Sequence, residues 1–166
     1  MTVTTKTTRP ADMLPKDMNA FIDFVGKAGE VDKATLPGLV KDAVALITIH
    51  DGETLIGTAA IKHPFAGYRA RTFKKAGDEK QASAYPLELG WLHVHEGHRG
   101  QKHSRTLMQA AMTCVGDDGI YATTKNDAMR KVLPEFGFAH IGTDFASTLR
   151  RDEKLSLFTR AATKDG

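Results

Sequence analysis

Residues 88–112 constrain this chain more than any other stretch, because their hydrophobic pattern changes twice. Residues 87–95 form an apolar run that predicts a buried strand. Residues 96–103 are a short basic loop. The segment that follows has apolar side chains at helical spacing, namely Leu107, Met108, Ala111, Met112 and Val115. The stretch therefore predicts a strand, a tight loop and a helix, around which the rest of the chain has to pack.

The loop has the composition of a site for an anion. A helix N-terminus exposes unpaired backbone N–H groups and carries about half a positive charge. Arg99 and Lys102 add full charges, and Gly100 lets the backbone approach a ligand closely. The sequence thus predicts a phosphate or pyrophosphate site at residues 99–104, with an exposed basic turn as the alternative.

The other segments alternate between helical and strand patterns, which predicts an α/β fold with a sheet of mixed direction. Asp51-Gly52 predicts a hairpin turn. We expect one domain over residues 1–166, with residues 163–166 frayed. Residues 1–12 form either a frayed tail or, as we favour, an edge strand over residues 3–8. Helices are expected at residues 14–28, 33–41 and from an N-cap at Asn126 to Gly137, and strands at residues 43–50, 54–61, 120–124, 139–148 and 154–161.

Residues 62–84 are the least regular part of the chain and are locally basic. Charge runs are usually solvated faces, so we favour a surface excursion with a short helix over residues 68–75. The alternative is a segment that lines a binding cleft, since long insertions beside a site often determine specificity.

The composition suits a packed protein of a reducing compartment. Of 166 residues, 41% are hydrophobic, and the net charge of +3 is too small to indicate nucleic-acid binding. The single cysteine, Cys114, excludes an internal disulfide, and we expect it in the core. No apolar run approaches the ~20 residues of a membrane helix, and the Thr-rich N-terminus lacks the apolar core of a signal peptide. We therefore expect a cytoplasmic protein without a membrane span.

The strand, loop and helix together resemble the acetyl-CoA-binding motif of the GNAT family of N-acetyltransferases. That motif reads Arg/Gln-x-x-Gly-x-Gly/Ala after a strand and a phrase like V-x-P-x-x-R-G. The matching positions here are Val94, His98, Arg99, Gly100, Gln101 and Ser104. Residues 43–61 resemble the family's second and third strands, and Asn126 with Gly137-Phe138 resembles its fourth helix. The pattern departs at Lys102, which replaces the first loop glycine, and at Ser104, which replaces the final Gly/Ala.

The resemblance implies a GNAT-like domain with a mixed, mostly antiparallel sheet of about six or seven strands, flanked by about four helices. It implies that the strands at residues 87–94 and 120–124 run parallel and splay apart. The pantetheine arm of acetyl-CoA, the co-substrate, would then bind along the first strand. No metal is implied. The implied cofactor-binding residues are Leu92, Val94, Arg99, Gly100, Gln101, Lys102, His103, Ser104 and Asn126.

The resemblance also implies catalytic roles. Glu88 lies eleven residues before Arg99, where many family members have a glutamate that acts as general base. Burial in an apolar strand would strengthen this carboxylate as a base. The alternative is a strand-end glutamate that is solvated or paired with a basic side chain. The backbone N–H of Val94 is the candidate donor to the oxyanion. The tyrosine that often protonates the leaving thiolate corresponds to Leu133, so the general acid is unassigned.

Several histidines surround the loop and invite other interpretations. A metal site is disfavoured, because no cysteine or carboxylate completes a recognisable ligand spacing. A proton relay at His93 or His95 is the better-supported alternative. Trp91 and Tyr121 are expected to lie in the core or a cleft wall, and the spacing of polar residues does not support a Ser/His/Asp triad. The histidines are His93, His95, His98 and His103.

The sequence therefore predicts an N-acetyltransferase that moves an acetyl group from acetyl-CoA to a primary amine of a small molecule or peptide, by direct transfer in a ternary complex. One alternative is a non-catalytic acyl-CoA-binding module of the same fold, suggested by Lys102 and Leu133. A third is a nucleic-acid-binding or nucleic-acid-modifying protein, for which no recognition motif is present. The identity of the amine and the oligomeric state are left open, with a homodimer as one option.

Overall fold

The computed structural model describes residues 2–28, 31–147 and 152–163. Short 3-10 turns occur at Pro10–Asp12, Glu79–Ala84 and Glu96–His98. The α-helices are Pro15–Ala28 (α1), Leu36–Lys41 (α2), Ala66–Lys75 (α3), His103–Val115 (α4) and Asp127–Glu135 (α5). The strands are Val3–Thr8 (β1), Ala45–Asp51 (β2), Thr54–Lys62 (β3), Leu87–Val94 (β4), Ile120–Thr124 (β5), Ala139–Ala146 (β6) and Lys154–Arg160 (β7).

The seven strands form one mixed sheet in the order β1-β2-β3-β4-β5-β7-β6. Strands β1 and β2, β2 and β3, β5 and β7, and β6 and β7 are antiparallel, whereas β4 and β5 are parallel. Within the described residues the parallel ladder covers two positions, Leu87↔Ile120 and Glu88↔Tyr121, at the start of both strands. The α/β class, the mixed and mostly antiparallel sheet and the parallel pair are therefore confirmed, with five α-helices in the described ranges where about four were expected.

The N-terminal segment and the first hairpin follow the sequence closely. β1 pairs with β2 from Val3↔Asp51 to Thr8↔Leu46, so the edge strand is confirmed over the frayed tail. Gly52 has φ +61, the left-handed conformation that a tight hairpin turn needs, and Asp51 pairs with Thr54 across the turn. Of the residues expected to fray, Met1 and residues 164–166 lie outside the described ranges.

By its internal contacts the chain divides into two compact units, which are described separately. The first is Met1–Lys62 with Leu89–Cys114, and the second is His63–Glu88 with Val115–Gly166. In the part of the chain that the structure describes, no helix is long and apolar enough to cross a bilayer.

The first unit has a core built on one face of α1. Met18, Phe21 and Val25 of that helix are buried, as their helical spacing predicts. Phe21 packs edge-to-face against Trp91 of β4, with the ring centroids 6.3 Å apart. α2 begins at Leu36, three residues later than predicted. Its proline therefore falls in the first turn, where the missing N–H is tolerated.

The second unit is organised by three aromatic rings. Phe73 of α3 stacks on Tyr85 with centroids 5.6 Å apart and meets Tyr121 of β5 edge-on at 5.2 Å. Such pairs contribute about 0.5–1.5 kcal/mol each beyond the area they bury. Most of residues 62–84 are exposed and a short helix is present, as predicted, but Thr72, Phe73 and Ala76 are buried and attach the segment to this core.

The end of α3 is fixed to an irregularity in β6. The pairing register of β6 with β7 shifts between Ile141 and Phe145. There the N–H of Thr143 donates to the carbonyl of Ala76 at 2.9 Å. Gly142 has φ +65, and a Cβ at that position would collide with the same carbonyl. The close approach of α3 to β6 therefore requires glycine. Residue 148, predicted to extend β6, lies outside the described residues.

One residue predicted to be in the core is not there. Cys114 lies on α4, as expected, but its side chain is exposed. It falls just beyond the edge of the buried face of the helix, so a residue type that is usually buried is placed outside by the helical period. That buried face carries Leu107, Met108, Ala111, Met112 and Val115.

Candidate functional site

The backbone of β4 is distorted at Trp91. This residue has φ +49, a left-handed conformation that bulky residues rarely adopt and that costs about 1–3 kcal/mol. The Trp91 carbonyl accepts a buried hydrogen bond from the Thr58 hydroxyl at 2.8 Å. The indole ring is buried in the core of the first unit, so packing on one side and the hydroxyl on the other hold the strained conformation.

Beyond this distortion, the backbone groups of Leu92 and Val94 face away from β3. The N–H of His95 donates to the Ile56 carbonyl of β3 at 2.8 Å, and the Trp91 carbonyl also points to that strand. Since backbone groups of successive strand residues point to opposite sides, those of Leu92 and Val94 point to the other side. This is the orientation that strand-like binding of a pantetheine arm needs; contact of either residue with the cofactor stays a prediction.

The Lys62 side chain lies across the middle of β4. A Cβ on Gly90 would come within 2.6 Å of the Lys62 Cδ, so the missing side chain at Gly90 makes room for the lysine. The Lys62 ammonium lies 4.6 Å from the centroid of a Trp91 ring, within the range of a cation–π interaction. A positive charge is therefore placed beside the distorted part of the strand, which no sequence pattern indicated.

Two left-handed residues shape the predicted anion loop. Gly100 has φ +82 and Lys102 has φ +63, with Gln101 between them and His103 opening α4. Alternation of left- and right-handed residues turns successive N–H groups toward one point, the geometry of an anion-binding nest. Lys102 thus adopts the handedness that favours glycine, at a cost of roughly 1 kcal/mol. Ser104 is the second residue of α4, where the backbone N–H has no partner within the helix.

Side chains tie the loop to the end of β4. The Arg99 Nε–H donates to the Val94 carbonyl at 3.2 Å. The His95 Nδ1 accepts from the N–H of Gly97 at 3.2 Å, and the His103 Nε2 lies 3.2 Å from the Gln101 Oε1. Arg99, predicted to bind the cofactor, therefore also positions the loop, and the other N–H groups of its guanidinium are those that can meet a phosphate.

The histidines near the loop have separate surroundings. Burial, and then the positive charge of Arg99, lower the pKa of His93, so this imidazole is neutral at neutral pH and can accept a proton. The His98 Nε2 lies 3.7 Å from an Asp51 carboxylate oxygen. Among the described residues, no group of three or more His, Cys, Asp or Glu side chains is placed to hold a metal ion.

In the second unit, Glu88 is buried at the start of β4. Its relative exposure is 4%, and it lies opposite Tyr121 in the parallel register. Tyr68 of α3 forms a side-chain hydrogen bond with it. The negative charge of Glu88, followed by burial, raises the pKa of Tyr68, and burial, followed by that charge, raises the pKa of Tyr121. Both phenols therefore stay protonated at neutral pH, and Tyr68 acts as a donor to the carboxylate.

Tyr68 is a site residue that sequence reasoning missed. The residue is 40% exposed overall, yet its hydroxyl reaches the buried carboxylate. The available signal was weak, because a tyrosine in a basic, irregular segment carries no motif. Only the interpretation of residues 62–84 as a cleft-lining segment pointed toward it.

The residues of α5 match the sequence in position. The Asn126 Oδ1 accepts from the N–H groups of Ala128 at 2.8 Å and Met129 at 3.3 Å, so the predicted N-cap is confirmed. This oxygen is engaged within the protein, and the predicted contact of Asn126 with the cofactor stays a prediction. Leu133, at the position of the family's tyrosine, is 1% exposed and belongs to the core.

A second polar cluster lies where β6 meets β7. The Ser156 hydroxyl donates to an Asp144 carboxylate oxygen at 2.7 Å, and the His140 Nε2 lies 3.1 Å from the same oxygen. The Arg130 Nε–H donates to Ser156 at 2.9 Å. The aspartate stands between the serine and the histidine, so the histidine cannot accept the serine proton as it does in a hydrolytic triad. The hydrogen bond from Ser156, and then His140, lower the pKa of Asp144.

The sequence matches no protein-family model and no curated protein, whereas the fold matches solved acyltransferase structures. An acyl-CoA N-acyltransferase from Pseudomonas aeruginosa aligns with a TM-score of 0.71 at 14% identity, over 96% of this chain and 100% of that chain. FeeM, an N-acyl amino acid synthase from uncultured soil microbes, aligns with a TM-score of 0.72 at 12% identity, over 96% and 91%.

A third structure, YncA from Salmonella typhimurium with its cofactor acetyl-CoA, aligns with a TM-score of 0.61 at 14% identity, over 100% of this chain and 97% of that chain. At such identities the likeness concerns the fold alone. The chain therefore has the GNAT fold, and the resemblance seen in the sequence is confirmed at the level of the fold.

Proposed function

We propose that this chain is an N-acetyltransferase that moves an acetyl group from acetyl-CoA to a primary amine by direct transfer in a ternary complex. The observation that supports it most is the buried Glu88 carboxylate, hydrogen-bonded by Tyr68 in a fold shared with acyltransferases. A carboxylate that is buried and held in place by a hydrogen bond is suited to accept a proton from an ammonium substrate.

The cofactor-binding residues in this proposal lie on β4 and the loop after it. The outward backbone groups of Leu92 and Val94 would hold the pantetheine arm, and the left-handed loop with Arg99 and Lys102 would hold the pyrophosphate. Both features fit acetyl-CoA. The loop offers N–H donors and positive charge to the pyrophosphate, and β4 offers an open strand edge to the amides of the pantetheine arm. Gln101, His103, Ser104 and Asn126 complete the proposed binding set.

Glu88 accepts a proton from the ammonium, directly or through a water, and so frees the nitrogen lone pair. Acetyl-CoA supplies the thioester: the C–N bond forms, the C–S bond breaks, and the thiolate leaves and takes up a proton from solvent. The Val94 N–H is the proposed donor to the oxyanion. Tyr68 stays protonated and donates its phenol O–H to the Glu88 carboxylate, which keeps that carboxylate in place.

The test is steady-state kinetics of Glu88→Gln on a panel of primary amines. Loss of a general base lowers kcat by about 10²- to 10⁴-fold, whereas acetyl-CoA binding measured by calorimetry should change little. Glu53→Gln, at an exposed position of the β2–β3 turn, is the matched control and should keep full activity.

Two outcomes would contradict the proposal. An active Glu88→Gln variant would remove the base from the mechanism. Binding of acetyl-CoA without turnover of any amine would instead favour a non-catalytic acyl-CoA-binding module. The proposal includes a cytoplasmic protein acting on a small-molecule or peptide amine, with residues 1–166 as one domain and a homodimer as one option for its assembly.

A further inference from the structure

One pocket of the second unit is lined by Tyr68, the residue that is hydrogen-bonded to Glu88. It has a volume of about 170 Å³, below the range of roughly 300 Å³ and above that drug-sized ligands occupy. Residues 68, 71, 72 and 75 lie at successive turns of one face of α3 and form one wall. Thr123 of β5 and Phe145 of β6 are on the opposite side. The size suits a compact molecule.

The charge of this pocket is one-sided. Arg71 and Lys75 are both exposed, and among the described residues no aspartate or glutamate lines the pocket with them. Neither side chain forms an ion pair within the described part of the chain. Like charges four residues apart on a helix repel each other and destabilise it. A bound anion would relieve that repulsion, and an arginine fork is well matched to a carboxylate.

Tyr68 connects this basic pocket to the candidate base. Its ring lines the pocket, and its hydroxyl is hydrogen-bonded to Glu88. Arg71 and Thr72 lie one helical turn further along α3, a rise of about 5.4 Å. A molecule in the pocket can thus have one end at Tyr68, the hydrogen-bond partner of Glu88, and the other near two cations, which matches an amine that also bears a carboxylate.

We infer that the acceptor is an amine carrying a carboxylate, which Arg71 and Lys75 bind, and that free amino acids are the class of substrate. This inference rests on the proposed function, since it names the acceptor of the same site. Glu88 takes the ammonium proton, while the carboxylate is held at the other end of the pocket. The small volume favours a free amino acid over an acidic side chain presented by a peptide.

The first experiment compares each standard L-amino acid with its own amide, with acetyl-CoA as donor. The pair differs in one negative charge and little in shape. Charge-assisted hydrogen bonds predict that kcat/KM for the preferred acid exceeds that for its amide by about 10- to 100-fold. Peptides with aspartate as their second residue present the carboxylate on a side chain instead of on the amino acid itself. They should be poor substrates.

Arg71→Gln and Lys75→Gln should remove that preference while leaving the KM for acetyl-CoA unchanged. Lys74→Gln is the matched control, because it removes an equal charge from the same helix at an exposed residue that does not line the pocket. A raised KM for acetyl-CoA in the two pocket variants would assign the cations to the cofactor. An unchanged acid preference in the double variant would overturn the inference.

Failure of the inference and failure of the proposed function remain distinguishable. If no amine is acetylated, calorimetric titration of the same acids and amides reports on the pocket without turnover. Binding of an acid but not its amide, lost in Arg71→Gln and kept in Lys74→Gln, would support the inference in an inactive protein. Equal acetylation, or in that case equal binding, of acid and amide by the wild type would refute it.

Discussion

Lys102 is the residue at which the chain departs most from the acetyl-CoA-binding motif that its sequence resembles, and its backbone conformation explains how the departure is tolerated. The position has φ +63, the conformation for which glycine is favoured. The lysine therefore adopts the left-handed conformation that a glycine would adopt here, and its own backbone carries the conformational strain. In return it places an ammonium at the entrance of α4, where the helix end already favours an anion.

We predict that Lys102→Gly is more stable than Lys102→Ala by about 1 kcal/mol, because glycine relieves the left-handed strain and alanine does not. Both variants lose the ammonium and should bind acetyl-CoA several-fold more weakly than the wild type. Urea denaturation and calorimetry measure the two effects. Equal stabilities of the two variants would show that φ at this position is not strained.

A second prediction concerns Asp144, whose pKa is lowered by its bond from Ser156. A depressed carboxyl pKa stabilises the folded state above the ordinary value of 3.8, and this stabilisation is lost as the pH falls through the folded pKa. Asp144→Asn should therefore be less stable than the wild type at neutral pH, by at most about 1 kcal/mol because the site is partly exposed. The difference should vanish in acid, as thermal unfolding at a series of pH values would measure. A difference independent of pH would contradict this assignment.

At the same scale, the sequence predicted that Glu88 lies in an apolar strand, but it did not predict which side chain contacts this carboxylate. Glu88 could be singled out because it lies eleven residues before Arg99, where the family that the sequence resembles often has a glutamate, and because it lies in an apolar strand. Its partner Tyr68 could not, since the hydrogen bond depends on where α3 packs, and α3 is held by rings from Tyr85 and Tyr121 that are distant in sequence. The position of a helix on a sheet is decided by such tertiary contacts rather than by local pattern.

Among the elements, α3 and β6 depend on each other through one close approach. The Ala76 carbonyl at the end of the helix accepts from Thr143, and Gly142 leaves the space for it. The same contact fixes the helix that carries Tyr68 and Arg71. A change at Gly142 should therefore affect both stability and the pocket.

We predict that Gly142→Ala lowers the free energy of unfolding by about 2–4 kcal/mol, through left-handed strain together with a steric clash. Gly77→Ala is the matched control, because Gly77 has φ +89 but nothing within 4 Å of its Cβ position. It should lose only the strain, about 1–2 kcal/mol. Denaturant titration measures both, and equal losses would show that the Ala76 carbonyl is free to move.

The β2–β3 hairpin was predicted with its turn, because Asp-Gly between two apolar runs is a strong local signal. The partial burial of segment 62–84 was not predicted, for the opposite reason. Its helix has few apolar residues, and the burial of Phe73 only becomes apparent once the partners from β5 and β7 are in place. The type of an element could thus be predicted where local chemistry determines it. Burial could not be predicted where it depends on residues that are distant in sequence.

For the molecule as a whole, the two compact units raise the question of cooperativity. We predict that the protein unfolds in one calorimetric transition, as a single domain should, and that acetyl-CoA at about 100 times its Kd adds about 2.7 kcal/mol of stability. S-acetyl-pantetheine, which lacks the pyrophosphate, should give a smaller shift. Two separate transitions would contradict the single domain, and equal shifts would contradict the role of the loop.

The fold at this scale followed from element order and one motif, because a strand, a nest-like loop and a helix restrict the arrangements available to the neighbouring strands. The binding site proposed for the acceptor amine could not be predicted in this way. The proposed acceptor pocket is lined by residues of α3, β5, β6 and β7, which are separated by up to 87 positions in the chain, from Tyr68 to Leu155. No sequence period connects such residues.

Trp91 is the only tryptophan of the chain. Its ring is buried in the first core, under the Lys62 ammonium, and its backbone immediately precedes Leu92. The indole emission of this protein therefore originates at one point of β4. Quenching or a spectral shift on titration with acetyl-CoA would report on this strand without any label, and the same signal would follow the loss of its strained geometry during unfolding.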